Sequence, residues 1–180
     1  MKKIFTLLAL TISFIINAQM SDNSTGTSAN GSRSVAMGSY TTASGDYSTA
    51  MGQDSTASGI TSTAMGAGTN ATGQRSTSMG NYTTASGSMS VAMGYKALAA
   101  GDRSVAMGTD TRASDLNSLV IGQYNSSGYS VTSADSFSTS APAFVIGNGT
   151  TSNARSDAFK VMFNGDTYVS SSLYLSLIHI

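Results

Sequence analysis

Side chains that carry catalysis or bind metals are scarce in this sequence, and none of them recurs at a catalytic spacing. Cysteine is absent, and the single histidine, His179, is the penultimate residue. A nucleophile activated by a histidine, or a metal held by cysteine and histidine, needs side chains that the rest of the chain does not supply. We therefore predict no catalytic residues, no metal ligands and no enzyme activity.

The nine acidic residues are dispersed along the chain rather than paired. Asp46 and Asp102 occupy one position of a repeated phrase, and Asp54 and Asp110 occupy another, so no pair of carboxylates recurs. The GGxGxD signature of calcium-binding solenoids is also missing. Carboxylates in turns are usually solvated, and we expect these four to be solvated turn charges.

A glycine-rich stretch at residues 66–71 (GAGTNA) matches the GxGxxA pattern of dinucleotide-binding loops. That pattern indicates nucleotide binding only between a strand and a helix, and no such context surrounds it. We interpret Gly66 as architectural and predict no cofactor. Removing Lys2 and Lys3 with a leader leaves seven basic against nine acidic residues, which gives no attraction for nucleic acid.

One 14-residue phrase, first read as SVAMGSYTTASGDY, recurs seven times without insertion or deletion over residues 34–131. Position one is always Ser, position four is Met or Ile, and position five is always Gly. A strict short period predicts a solenoid. We interpret the residues at positions four and five as structural, namely Met37, Gly38, Met51, Gly52, Met65, Gly66, Met79, Gly80, Met93, Gly94, Met107, Gly108, Ile121 and Gly122.

Each phrase predicts two short strands, at positions one to four and eight to eleven, each closed by a glycine. Recurrent Gly disfavours helix, and stacking coils about 4.8 Å apart would pair each strand with its copy in the next coil. We expect the even positions, such as Val35, Met37, Thr41 and Ala43, to face inward, and Ala36 to face outward. Because so small a coil buries little apolar area, we predict an oligomer packed through the flat alanine surface.

The rest of the chain is organised around this array. A basic start and a short apolar run predict a signal peptide, and the apolar run is too short to span a membrane. At the other end, LSLIHI is interpreted as a translated sequencing adaptor, and we expect the protein to continue beyond it. Short strands are predicted at residues 143–149, 158–162 and 166–169. The predicted divisions are a signal peptide at 1–18, a polar segment with a partial capping repeat at 19–33, seven repeats at 34–131, a connector at 132–174 and the adaptor at 175–180.

The phrase Ser-Val-Ala-Met-Gly-x-x-x-x-Ala-Ser-Gly-x-x resembles the head repeat of trimeric autotransporter adhesins, the YadA-like or Hep/Hag repeat, with Met where that repeat usually has Ile. The resemblance covers residues 28 to about 131. It implies an all-β, left-handed parallel β-roll of 14-residue coils, three chains side by side, followed by a short β-rich connector. It also implies a secreted, non-catalytic head on the outer surface of a Gram-negative bacterium, attaching it to matrix proteins or other surfaces. Residues 144–169 resemble the connector that follows such repeats.

Tyrosines supply a candidate adhesive surface. Tyr40, Tyr82 and Tyr124 share position seven, and Tyr95 stands beside them at position six. Aromatic rings displayed on a rigid scaffold suit attachment. The alternative is that the rings pack over neighbouring turns or an oligomer seam.

Two other functions fit the same repeat. Position eight forms a row of Thr41, Ser55, Thr69, Thr83, Ala97 and Thr111, to which position nine adds Thr42, Thr56 and Thr84. Regular threonine rows suit an ice-binding solenoid, although Ala97, Leu98 and Arg112 interrupt them, and the period-two alternation puts position eight inward. A structural fibre segment without a receptor is the other alternative.

Overall fold

The computed structural model describes residues 20–21 and 26–170. The predicted signal peptide, the LSLIHI segment and His179 lie outside the described residues. Within them the chain forms strands and turns and no helix, so the prediction of an all-β protein is confirmed.

Two sheets run the length of the molecule, and each complete coil gives one five-residue strand to the first sheet and one two-residue strand to the second. The strands of the array are β1 (Met20–Ser21), β2 (Ser28–Ala29), β3 (Val35–Ser39), β4 (Thr42–Ala43), β5 (Thr49–Gln53), β6 (Thr56–Ala57), β7 (Thr63–Ala67), β8 (Asn70–Ala71), β9 (Thr77–Asn81), β10 (Thr84–Ala85), β11 (Val91–Tyr95), β12 (Leu98–Ala99), β13 (Val105–Thr109), β14 (Arg112–Ala113) and β15 (Leu119–Gln123). Three further strands follow, β16 (Pro142–Asn148), β17 (Asp157–Met162) and β18 (Thr167–Val169), close to where the sequence predicts them.

Successive coils pair in parallel with a fixed offset of one phrase. Val35 lies beside Thr49, Met37 beside Met51, and Gly38 beside Gly52, and the same register continues from coil to coil. The predicted stacking of each strand on its own copy is therefore confirmed, and it places identical residues in ladders. The molecule is a parallel β-roll.

The predicted facing of the first strand is wrong. Ala36 and Ser34 are fully buried, whereas Met37 is 41% exposed and Val35 is half-buried on the outside. The cause is that the small serine at position one faces inward in every coil. In the first, fifth and seventh coils its hydroxyl donates to the carbonyl three residues earlier, as from Ser34 to Gly31 (2.7 Å). Alternation then places position three inside and positions two and four outside.

The core between the two sheets is accordingly made of small side chains. Two clusters of buried alanines fill it, and the cluster nearer the end of the array also contains Val120 and Val145. The second strand faces as predicted, because Thr41 and Ala43 are both buried. A lumen only one small coil wide has room for Ala, Ser and Thr but not for a methionine in every layer, so the largest recurring side chain lies outside.

Glycine recurs because neighbouring backbones nearly touch. A Cβ on Gly59, at position twelve, would overlap the carbonyl oxygen of Gly73 in the next coil. At position five Gly52 has the same restriction towards Gly66 and also takes a φ of 113°, which side chains rarely adopt. The turns at positions seven and fourteen are left-handed as well, with φ of 55° at Tyr40 and 58° at Tyr47.

The last coil ends the second sheet with a side chain in place of a strand. Asn125 is fully buried, and its Oδ1 accepts from the backbone N–H of Arg112 (2.8 Å) while its Nδ2 donates to the carbonyl of Arg112 (2.9 Å). These are the bonds that the backbone of a further strand would make to β14. The first sheet instead continues, because β16 pairs in parallel with β15, Phe144 beside Leu119 and Val145 beside Val120.

Carboxylates hold in place the end cap, by which we mean the residues from Tyr124 onwards that close the last coil. Asp110 forms an ion pair with Arg155 (2.8 Å) in which both side chains are mostly buried, so the expectation that Asp110 is a solvated turn charge is wrong. Asp115 replaces the glycine of position twelve in the sixth coil, where Thr132 and Ser133 donate their backbone N–H groups to its Oδ1 (2.5 and 2.6 Å). Within the array itself, Asp46 and Asp102 each accept a hydrogen bond from a backbone N–H group of the preceding coil, that of Ser32 and that of Ser88, both at 2.8 Å.

We expect the substitution Gly59→Ala to lower the free energy of unfolding by at least about 2 kcal/mol, because the new methyl group meets a backbone carbonyl that cannot move without separating two coils. Urea unfolding followed by circular dichroism, at one fixed protein concentration, measures the change. Ser58→Ala is the matched control, since the neighbouring side chain is exposed and its loss should be nearly neutral. Equal stability of the two variants would contradict the close-approach argument.

Asn125→Ala should destabilise the end of the roll by about 2 kcal/mol or more, because it leaves the N–H and C=O of Arg112 buried without partners. Hydrogen exchange at the Arg112 amide should accelerate, while amides in the first coils remain protected. The exposed Asn153→Ala provides the control. Unchanged exchange at Arg112 would show that Asn125 does not cap the sheet.

Candidate functional site

The outer side of the first sheet is an uncharged and largely apolar surface, here called the methionine face. It consists of the outward residues at positions two and four of the seven coils: Val35, Met37, Thr49, Met51, Thr63, Met65, Thr77, Met79, Val91, Met93, Val105, Met107, Leu119 and Ile121. Met37, Met107 and Leu119 are each about 40% exposed. The alanines at position three lie in the core, so the predicted flat alanine surface for chain packing is wrong, and the methionine face is the apolar surface of the roll.

A second feature lies along the turn that links the two sheets, here called the tyrosine edge and defined by Tyr40, Tyr82 and Tyr95. Tyr40 is 55% exposed and Tyr82 is 62% exposed, and both have left-handed backbone conformations that the turn imposes. Tyr95 is also exposed, with the ammonium of Lys96 5.3 Å from its ring centroid. The structure thus brings three of the four predicted tyrosines onto one exposed edge.

Tyr124 has a different environment from the other three. It is half-buried, and the guanidinium of Arg155 lies 5.8 Å from its ring centroid. Arg155 in turn pairs with Asp110, at the position directly below Tyr124 in the preceding coil. This ring belongs to the end cap, as the packing alternative proposed for all four tyrosines.

The row of hydroxyls at position eight is inside the roll. Thr41, Ser55, Thr69, Thr83 and Thr111 are fully buried, and some bond to one another, as Thr69 does to Ser55 (2.9 Å). The inward facing predicted for this position is confirmed, and this row cannot contact ice. Position nine does face outward at Thr42, Thr56 and Thr84, but Asn70, Leu98 and Arg112 interrupt that column.

Arginine and tyrosine side chains cluster at the end cap, although charged residues also occur along the array. The rings and guanidinium groups stack there, with Arg112 4.2 Å and Arg155 4.3 Å from the centroid of Tyr129. An open cleft of about 440 Å³ adjoins them, lined by Ser127, Tyr129, Arg155 and Met162 among others. The Arg155 guanidinium is already bonded to Asp110, so the cleft is part of the cap's packing. Among residues 26–170 no three acidic or histidine side chains group closely enough to hold a metal ion.

A family model described as the YadA head domain repeat (2 copies) matches residues 25–41, 29–55, 43–69, 57–83, 85–111 and 99–125. These matches cover more than half of the chain. The chain belongs to the YadA head family. A comparison with curated proteins returned no match. The fold, the family and the recurring phrase agree in identifying an adhesin-type β-roll head.

The matches to the YadA head model begin at residue 25, in a coil that is longer than the sequence predicts. The partial capping repeat was predicted to start at residue 28. Gly26 already has the left-handed conformation of position seven, with φ of 74°. The strand β1, which precedes Gly26, pairs with β3. Met20 pairs with Val35 at an offset of fifteen residues rather than fourteen, so this coil does not follow the strict period. In the described part of the chain no helix is long and apolar enough to cross a membrane.

At the other end of the YadA head, sequence reading missed Asn125, Asp115 and the pairing of β16 with the array. The signals are visible in retrospect. FVIGN at residues 144–148 repeats LVIGQ at residues 119–123, and Asp115 stands where earlier copies have glycine. A change at a position that is otherwise constant marks the end of the array.

Proposed function

We propose that this chain is a trimeric attachment head, directed to the outer surface of a Gram-negative bacterium by the signal peptide at residues 1–18, and that it works by binding rather than by catalysis. The observation that carries the proposal is the methionine face on a roll of the YadA head family. Such a head presents its recognition side chains on a rigid scaffold, and it needs no cofactor.

The methionine face is the surface through which we place the partner chains. It is flat, because every coil repeats the same outline, and it is uninterrupted by charge from Val35 to Ile121. Monomeric proteins rarely leave so continuous an apolar surface in water. Met side chains are flexible and polarisable, so ladders from neighbouring chains can interdigitate where rigid side chains would need a closer match.

Covering the methionine face would also compensate for the small apolar area that the core buries. Alanine and serine bury little area each, and apolar burial stabilises by roughly 25 cal/mol per Å². A roll with only this core lacks the burial that a domain of its length normally has. Association of three chains supplies additional burial at the side chains that the coil itself leaves outside.

The tyrosine edge is the surface that we assign to attachment. It lies on the turn at positions six and seven, beside the methionine face, and Tyr40 and Tyr82 each expose more than half of their surface. Tyrosine suits binding because it offers a large contact area with few rotatable bonds to immobilise. The target is an extracellular matrix or another external surface.

Replacing Met79 and Met93 with Glu should convert the trimer to a monomer or unfold it, because the substitutions put charges from every chain into one apolar interface. Light scattering after size exclusion at micromolar concentration reports the mass. Thr72→Glu with Ser86→Glu is the control, since it adds the same charge in adjacent coils on the outside of the second sheet. A folded wild-type monomer, or a trimer that survives the methionine substitutions, would refute this interface.

Replacing Tyr40, Tyr82 and Tyr95 with Ser should weaken binding to an immobilised basement-membrane matrix at least about tenfold, the effect expected when aromatic hot spots are removed. Tyr47→Ser is the control, because Tyr47 has a similar backbone conformation and is 52% exposed on the opposite turn. Surface plasmon resonance on each folded trimer compares them. Matrix binding that is unchanged in the triple variant would exclude the tyrosine edge as the attachment surface.

A further inference from the structure

The array carries a second, longer period of 42 residues, which is three coils. Residues 26–45 (GTSANGSRSVAMGSYTTASG) and residues 68–87 (GTNATGQRSTSMGNYTTASG) are identical at fourteen of twenty positions. The longer period recurs at position seven, where Gly26 precedes Tyr40 by one coil and Gly68 precedes Tyr82 by one coil. These two Gly and Tyr pairs stand three coils apart, about 14 Å along the roll at the usual spacing of paired strands.

Each of these glycines makes room for the tyrosine of the following coil. A Cβ on Gly68 would lie 2.8 Å from Cδ1 and 2.9 Å from Cε1 of Tyr82, and a Cβ on Gly26 would overlap the ring of Tyr40 in the same way. The ring therefore lies back over the preceding turn rather than projecting into solvent. More than half of each tyrosine remains exposed, so both rings are held in place and available.

The surroundings of the two rings are polar and carry no net charge. Position six supplies Ser39 beside Tyr40 and Asn81 beside Tyr82. In the next coil, position seven is Asp54 after Tyr40 and Lys96 after Tyr82, so the two charges have opposite signs. A polyanion or a polycation gains nothing from such an edge, whereas a neutral ligand rich in hydroxyl groups finds hydrogen-bonding side chains beside each ring.

The fold also removes one common way of binding a peptide. Strands in the middle of the array have both edges occupied, as β5 pairs with β3 on one side and β7 on the other. An extended peptide cannot add a strand there. What the edge offers is ring stacking together with side-chain hydrogen bonds.

We propose that Tyr40 and Tyr82 are two stacking sites for one extended, neutral, β-1,4-linked polysaccharide chain that lies along the roll axis. The negatively polarised face of a tyrosine ring attracts the C–H groups on the face of a sugar ring, and the sugar hydroxyls bond to the polar side chains beside it. Two sites on a rigid scaffold raise the affinity for a long chain above that for a short one. The proposal rests on the attachment function and names the chemistry of its ligand.

Binding of cellohexaose, chitohexaose and their disaccharides to the whole trimeric protein tests this, by isothermal titration calorimetry. We expect at least one hexasaccharide to bind at least about tenfold more tightly than its disaccharide, because only the longer chain reaches both rings. Tyr40→Ser and Tyr82→Ser should each remove this advantage, while Tyr47→Ser should keep it. Tyr40→Phe with Tyr82→Phe should also keep it, because stacking needs the ring and not the hydroxyl.

The spacing can be tested separately from the rings. Tyr82→Gly with Lys96→Tyr moves the second Gly and Tyr pair by one coil while preserving a glycine below the ring. We expect this variant to bind a hexasaccharide more weakly than the wild type by about tenfold. Lys96→Gln is its control and should bind as the wild type does.

Failure of both hexasaccharides to bind the wild-type trimer overturns the polysaccharide proposal, and so does equal loss of binding in the Tyr47→Ser variant. If matrix attachment through the tyrosine edge persists in that case, the attachment function stands and its ligand is of another class, such as a proline-rich peptide. If the hexasaccharides bind but no variant affects matrix attachment, the site is real and the attachment function fails.

Discussion

The close approach of one coil's backbone to the next is the constraint on which the rest of this structure depends. Parallel hydrogen bonding at an offset of one phrase leaves no space for a Cβ at positions five and twelve, so glycine is required there by its neighbours in the next coil as much as by its own φ. The turns are left-handed for the same reason, since the N–H of residues such as Tyr47 must reach back to a carbonyl of the preceding coil, here that of Ser32 at 2.8 Å. The side chain can vary only at positions where this close backbone contact leaves space for it.

Stability in such a roll comes from an unusual distribution of interactions. The lumen holds alanines and hydroxyl groups, and several buried hydroxyls, among them Thr41 Oγ1, Ser48 Oγ and Ser62 Oγ, have no hydrogen-bond partner within the described chain. Unpaired buried polar groups cost free energy, so the interior contributes less than its volume would in an ordinary domain. Backbone hydrogen bonds along the sheets define the fold, but they exchange against bonds to water and stabilise only modestly. Burial of the apolar side chains that the coil places outside would therefore add stability in the oligomer that we propose.

The period of the sequence was sufficient to predict the stacking of coils, the presence of two strands in each coil and the ladders of identical residues. The first strand was predicted to end before the glycine of position five, but it continues through that glycine to position six, as β3 does from Val35 to Ser39. It was not sufficient to predict which face of the first strand is inside. Hydrophobicity favoured Met37 for the core, but the size of the lumen and the inward hydroxyl of Ser34 decide for Ala36. The end of the array was also hidden, because Asn125 acts through a side-chain amide that imitates backbone, and β16 enters the sheet after a long connection rather than at the next multiple of fourteen. The repeat predicts the features that every coil shares, whereas the end of the array depends on residues that occur in one coil only.

The tyrosines at position seven show how a fixed backbone conformation leaves the identity of the side chain open. Position seven must adopt a left-handed conformation in every coil, and Asp54, Lys96 and Gly68 satisfy it as well as Tyr40 does. Tyrosine is therefore not demanded by the fold at this position. A glycine one coil earlier is needed only where a ring follows and lies back over it, as Gly26 and Gly68 do. Forty-two residues after Gly68, Asp110 takes the place of that glycine and binds Arg155, which lies against Tyr124. The ring at this position is therefore part of the cap. The pairing of a glycine with a ring, rather than the ring alone, separates an available tyrosine from a structural one.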